Sequence, residues 1–196
     1  MSNYKTVFFI LGVLQIILGL SMIVPIMAQF YYNQVDSGFI GSGLVSIIFG
    51  VLFFLSNLDY EKKLTLPQAF LLTALSWLSI AIFGSLPFVF SDLSLSFTNA
   101  FFESMSGITT TGSTILTNLN ETPKAILLWR AMLQWLGGIG IIVMAITLMP
   151  IMNIGGMQLF VISNTHTPEK ILPKSKEISI RLIVIYSSLT LVCAFF

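Results

Sequence analysis

Long uncharged apolar stretches alternate with short charged ones along this chain. No Asp, Glu, Lys or Arg occurs in residues 6–35, 37–58, 64–91, 131–168 or 182–196. A helix needs about 20 predominantly apolar residues to cross the hydrocarbon of a bilayer. Lipid offers no partner to an unpaired backbone, so such runs must be helical. The pattern predicts membrane-crossing helices over residues 7–28, 38–58, 67–89 and 125–149, and a last helix beginning near Ser179.

Residues 94–120 break the alternation. Both flanking spans need to reach the same face, yet residues 97–108 are apolar and aromatic without being long enough to cross. At about 1.5 Å per residue such a helix reaches only about halfway. The run Thr109-Thr110-Thr111-Gly112-Ser113-Thr114 that follows is too polar for lipid contact. A short helix with a polar, glycine-containing return predicts a re-entrant loop. Irregular backbone at membrane depth is tolerated where it lines a cavity or is buried in protein.

Composition agrees with a lipid-solvated chain. Of 196 residues, 56% are hydrophobic and 9% charged, against about 25% charged in soluble domains. A net charge of +1 lacks the basic face of a nucleic-acid binder. The single cysteine, Cys193, permits no internal disulfide and reads as a small apolar helix residue. Lys5 precedes an apolar run longer than the about 7–15 residues of a signal core, and no A-x-A site follows, so the run reads as a retained helix. Lys5, Lys62, Lys63, Lys170, Lys174, Lys176 and Arg181 fall on one side of alternating spans, and Asp36, Asp92 and Glu121 on the other. The basic side is the cytoplasmic one, which puts the N-terminus inside. Lys124 is a minor exception and Arg130 lies within a span.

The return loop has the chemistry of a cation ligand. A dehydrated alkali ion needs oxygens in place of its water, and backbone carbonyls with threonine hydroxyls supply them. Glycine permits backbone angles that re-aim successive carbonyls. The C-terminal end of the preceding helix, near Ser106 and Gly107, carries partial negative charge toward such an ion. Thr110, Thr111, Gly112 and Ser113 are the candidate ligands; the competing reading is an ordinary polar loop. Glu103 and Arg130 are the intramembrane charges. A buried charge needs a partner, so they are a candidate structural pair fixing the short helix to its neighbour. The alternative is that Glu103 attracts cations.

Other features read as structural. Gly137, Gly138 and Gly140 lack the strand before and polar helix after that a dinucleotide fingerprint requires, and they fit close helix packing, as do Gly12, Gly19, Gly43 and Gly50. His166 stands alone in a loop, without the further ligands a metal site needs. No nucleophile–histidine pair or carboxylate dyad supports enzyme chemistry, and no organic cofactor is expected.

The run Phe101-Phe102-Glu103-Ser104-Met105-Ser106-Gly107-Ile108 continuing through Thr114 resembles the first pore loop of the Trk/Ktr potassium-uptake family, TrkH type. Trp129-Arg130 with Gln134-Trp135-Leu136-Gly137-Gly138-Ile139-Gly140 resembles the helix that follows it there. Gly155-Gly156-Met157-Gln158-Leu159-Phe160 resembles the family's next cytoplasmic stretch. Ser113 stands where alanine is common. The resemblance implies an all-α integral membrane fold of the potassium-channel-like superfamily, in which two extra helices precede helix–pore-loop–helix repeats. Residues 1–65 would be the extra pair. Residues 66–152 would be the first repeat, with pore helix 97–108 and filter 109–114. Residues 153–178 would be a cytoplasmic connector, and 179–196 the start of the second repeat, the chain ending inside an apolar run that begins at Leu182. The chain is thus expected to be the N-terminal portion of a pore subunit, inactive alone. The implied activity is potassium uptake or symport across a bacterial inner membrane. The implied partners are membrane lipid, a second copy in a homodimer, and a TrkA-like cytoplasmic nucleotide-binding regulatory subunit; no nucleic acid is implied. Two alternatives remain: an assembly protein with a packed re-entrant hairpin, and a short homotetrameric cation channel.

Overall fold

The computed structural model describes residues 4–34, 36–60, 64–93, 95–152 and 171–195. Lys62, Lys63, Lys170, His166 and the Gly155-Gly156-Met157 motif lie outside them. Every regular element among the described residues is an α-helix: α1 Lys5–Ser21, α2 Ile23–Tyr31, α3 Gly38–Ser56, α4 Leu66–Phe90, α5 Phe97–Ile108, α6 Lys124–Met152 and α7 Ile171–Phe195. Among the described residues, four stretches are long and apolar enough to cross a membrane: Lys5–Tyr31, Gly38–Ser56, Leu66–Phe90 and Lys124–Ile142. α5 is too short to do so. The chain forms two compact units, Met1–Gly137 and Gly138–Phe196.

Two boundaries differ from the hydropathy reading. The first span is interrupted at Met22, between α1 and α2. Pro25 lies three residues beyond that point; its ring has no N–H and crowds the carbonyl four residues back, that of Ser21. The Ser21 hydroxyl folds back onto the Leu18 carbonyl at 2.6 Å. The last helix begins at Ile171, ahead of the expected start near Ser179. Charge in Lys174-Ser175-Lys176-Glu177 ends an apolar window but not a helix, since Lys and Glu are good helix formers. Pro173 falls in the first turn, where a missing N–H costs nothing.

Small residues let α1 and α3 approach closely. A Cβ on Gly12 would lie 2.6 Å from the Phe54 amide nitrogen, and one on Gly50 would lie 2.8 Å from the Ile16 nitrogen. Gly19 meets the Gly43 carbonyl in the same way, at 2.9 Å. The two helices therefore run antiparallel with their backbones in contact, the arrangement by which packing replaces the missing hydrophobic drive in lipid. Gln15, fully buried on α1, ties this pair to α4 by donating to Ser79 Oγ at 2.6 Å.

The short helix α5 is wedged against α4 and α6. α4 starts under a cap in which the Gln68 side chain accepts from the Thr65 amide at 2.9 Å. At its far end Gly84 leaves room for Ser104 of α5 and Leu133 of α6. The Gly84 carbonyl, on the same turn, accepts from the indole of the fully buried Trp129 at 2.9 Å. Ala100, Trp129, Leu133 and Phe88 share one buried core with Phe39 and Met22. Gly137 packs directly on the Ile108 carbonyl, at the last residue of α5. In the second unit Gly138 lies beside Tyr186, whose hydroxyl would be 2.8 Å from an added Cβ. Gly137 and Gly138 are packing positions on a helix, whereas Gly140, expected to be one as well, has open space around it among the described residues.

Candidate ion-coordination site

α5 ends because the chain turns left-handed. Thr110 has φ +57°, its amide donates to the Gly107 carbonyl at 2.9 Å, and the Thr111 amide donates to Ser106 at 3.0 Å. These two bonds form a Schellman cap, a site that normally takes glycine. Threonine there costs about 1–2 kcal/mol of backbone strain, and a β-branched residue with positive φ is an outlier. Two residues on, Gly112 is also left-handed at φ +79°, whereas Thr111 between them is not. Alternating hands of this kind make successive backbone N–H groups converge, and here the Thr111 and Gly112 amides both donate to the Ser106 carbonyl, at 3.0 and 3.4 Å.

The segment is fastened by side chains of α5 and α6. Glu103 is fully buried on α5 and accepts three times. Its Oε1 takes the Thr114 hydroxyl and the Ile115 amide, the latter at 2.6 Å, and its Oε2 takes Arg130 Nε at 2.9 Å. Arg130, 16% exposed at its side chain, extends past the carboxylate. Its terminal nitrogen donates to the Gly112 carbonyl at 2.9 Å and to the Ser113 carbonyl at 3.2 Å. Ser106 Oγ donates to the same Ser113 carbonyl at 2.7 Å. The carbonyls of Thr109, Thr110 and Thr111, by contrast, accept no hydrogen bond among the described residues. Thr109 Oγ1 bonds the Met105 carbonyl at 2.7 Å and shares a hydrogen bond with Thr111 Oγ1 at 2.9 Å. Residues 109–113 are all exposed.

The structure thus brings Glu103 and Arg130 into contact and places Thr110, Thr111, Gly112 and Ser113 on one irregular strand. It separates those four into two kinds: two whose carbonyls accept nothing among the described residues and two whose carbonyls face a guanidinium. Both oxygens of Glu103 are committed to protein donors, which leaves none directed at an ion. Sequence reasoning placed Ser106 at the end of the short helix and Thr114 in the filter run, but missed Ser106 as a donor to Ser113 and Thr114 and the Ile115 amide as donors to Glu103. The only available signal was their distance from Glu103 and Gly112 along the chain, which carries no periodicity.

The TrkH family profile, described as a cation transport protein, matches residues 5–196. The chain belongs to the TrkH family. It is 37% identical over 196 residues to the Trk system potassium uptake protein TrkH of Vibrio parahaemolyticus, covering 98% of this chain and 40% of that protein. It is 38% identical over 186 residues to TrkI, a Trk system potassium uptake protein of Halomonas elongata, covering 94% and 38%. The crystal structure of the potassium transporter TrkH from Vibrio parahaemolyticus superposes with a TM-score of 0.85 at 34% identity, over 99% of this chain and 39% of that one. The chain therefore spans about two fifths of the length of the curated relatives it matches. As a TrkH-family chain with several apolar helices it is a multi-pass membrane protein.

Proposed function

We propose that this chain supplies the first helix–pore-loop–helix repeat of a potassium-uptake pore. The segment holding Thr110, Thr111, Gly112 and Ser113 forms one wall of the ion-selective filter, and residues 1–65 supply the two helices ahead of the repeat. One observation carries this reading. A half-length, partly buried helix ends in a strained left-handed threonine, and the carbonyls of Thr109 to Thr111 then have no donors among the described residues, while those of Gly112 and Ser113 are held by Arg130. Strain retained at a surface that nothing else requires is the mark of a functional site. Free carbonyls beside a helix C-terminus suit a dehydrated monovalent cation. The names of the relatives, Trk system potassium uptake proteins, support potassium as that ion.

The Glu103–Arg130 pair is structural in this reading. The finer assignments rest on the family and on charge: a bacterial inner membrane, a cytoplasmic N-terminus beside Lys5, a homodimer, a TrkA-like regulatory subunit, transport without enzyme chemistry, and no organic cofactor. Impermeant labelling of single cysteines at Asp92 and Lys63, in a Cys193→Ser background, should occur from opposite sides. Labelling of both from one side would exclude the orientation.

The functional test replaces the matching two fifths of Vibrio parahaemolyticus TrkH by this chain. The resulting full-length protein should support potassium uptake in cells lacking their own uptake systems. A replacement that reaches the membrane at normal levels and transports nothing contradicts the proposal and favours the packed-hairpin reading.

A further inference from the structure

Arg130 reaches two places at once. Its Nε is spent on Glu103 Oε2 at 2.9 Å, while its terminal nitrogen donates to the carbonyls of Gly112 at 2.9 Å and Ser113 at 3.2 Å. The planar fork of a guanidinium can serve a carboxylate and a carbonyl pair together; an ammonium is a point donor and cannot. Ser106 Oγ adds a second tether to the Ser113 carbonyl at 2.7 Å. A carbonyl oxygen that faces a guanidinium has its negative end already occupied by a cation. A second cation on that oxygen would meet the first one's charge at close range.

We propose that Arg130 is a specificity-determining residue that withholds the Gly112 and Ser113 carbonyls from the ion, so that this repeat coordinates through the carbonyls of Thr109, Thr110 and Thr111 alone. The inference rests on the filter reading above and deepens it. Arg130 touches no ion; it acts as a positioning residue through the carbonyls it holds. Glu103 offsets its charge, so the effect is one of geometry and not of long-range repulsion. The number of carbonyls offered per repeat is one of the quantities that sets preference among alkali ions. A repeat that offers fewer discriminates less between potassium and sodium. Gly112 is then needed for its left-handed angle, which turns its carbonyl back toward Arg130, and not for a ligand of its own.

Two measurements on the full-length replacement protein test this. In a crystal grown with thallium(I), a potassium substitute located by anomalous scattering, density is expected against the Thr110 and Thr111 carbonyls and none in contact with the Gly112 or Ser113 oxygens. Thallium bound to either of those two oxygens overturns the inference and leaves the filter reading standing. No thallium anywhere along residues 109–113 overturns both. The second measurement is the potassium-to-sodium uptake ratio. Arg130→Lys keeps the charge and a partner for Glu103 but releases the Gly112 carbonyl and leaves the Ser113 carbonyl to Ser106 alone, and should raise the ratio. Ser106→Ala removes one tether without touching a buried charge and should move the ratio the same way by less. An unchanged or lowered ratio in Arg130→Lys overturns the specificity role. If that variant does not reach the membrane, an unchanged or lowered ratio in Ser106→Ala does so.

Discussion

The α1–α3 pair and the return segment after α5 both depend on glycine, for opposite reasons. Gly12 and Gly50 sit in regular helix, and an added Cβ at either would lie within 3 Å of the other helix's backbone. Gly112 has open space around it, its nearest neighbour being Gln134 Nε2 at 3.8 Å, but a φ of +79°. One region cannot hold a side chain because a second helix is there; the other resists one because of its own backbone. The difference separates scaffold from site. Packing glycines bring helices together, whereas the left-handed residues Thr110 and Gly112, of which only the threonine is strained, lie on exposed backbone that contributes nothing to the core.

The largest expected effect falls on the charge pair that fastens the return segment to α6. Arg130→Ala leaves the buried Glu103 carboxylate without its cation, and breaking such a pair costs about 3–5 kcal/mol. Folded yield in membranes should drop sharply, and Glu103→Gln together with Arg130→Gln should partly restore it. A double variant as poor as the sum of the singles would mean that the pair does not hold the return segment to α6.

A smaller and different loss is expected from the packing glycines. Gly50→Ala drives a methyl into the backbone of Gly12 and Ile16, and overpacking of this kind costs about 1–3 kcal/mol. Thermal stability in detergent should fall, while the potassium-to-sodium ratio of the full-length replacement protein stays at the parent value. A changed ratio would join the two regions functionally and break the comparison. Gly137→Ala, which meets the Ile108 carbonyl, should behave like Gly50→Ala in stability but also disturb the ratio, because it displaces the end of α5.

Much of the fold was legible because lipid leaves so few options. Uninterrupted apolar runs have to be helices, and the spans follow from where charge is missing. The break at Met22 was readable from Pro25 but was hidden by treating the run as a single span. The early start of α7 was hidden because a hydropathy window stops at Lys176 while a helix does not. At the site, the polarity of Thr109 to Thr114 in an apolar setting marked the place, and the isolation of Glu103 and Arg130 within apolar sequence marked them for each other. The hydrogen bonds that sort the carbonyls were not legible. They run from Arg130 and Ser106 to irregular backbone, where neither the helical nor the strand period relates one residue to the next.

The smallest energetic change gives the most direct test of the central claim, that residues 109–113 form a wall of the filter. Serine at position 112 of the full-length replacement protein meets no steric obstacle and costs about 1–2 kcal/mol at a left-handed angle. Expression should therefore stay near normal while the turn relaxes and displaces the Thr111 carbonyl. Thr111→Val, which keeps that carbonyl and loses only a hydroxyl, should be milder still. Potassium and sodium uptake measured side by side at matched expression should show Gly112→Ser discriminating less between the two ions than the parent. Equal discrimination in variant and parent would contradict the filter and leave residues 109–113 as a packed hairpin.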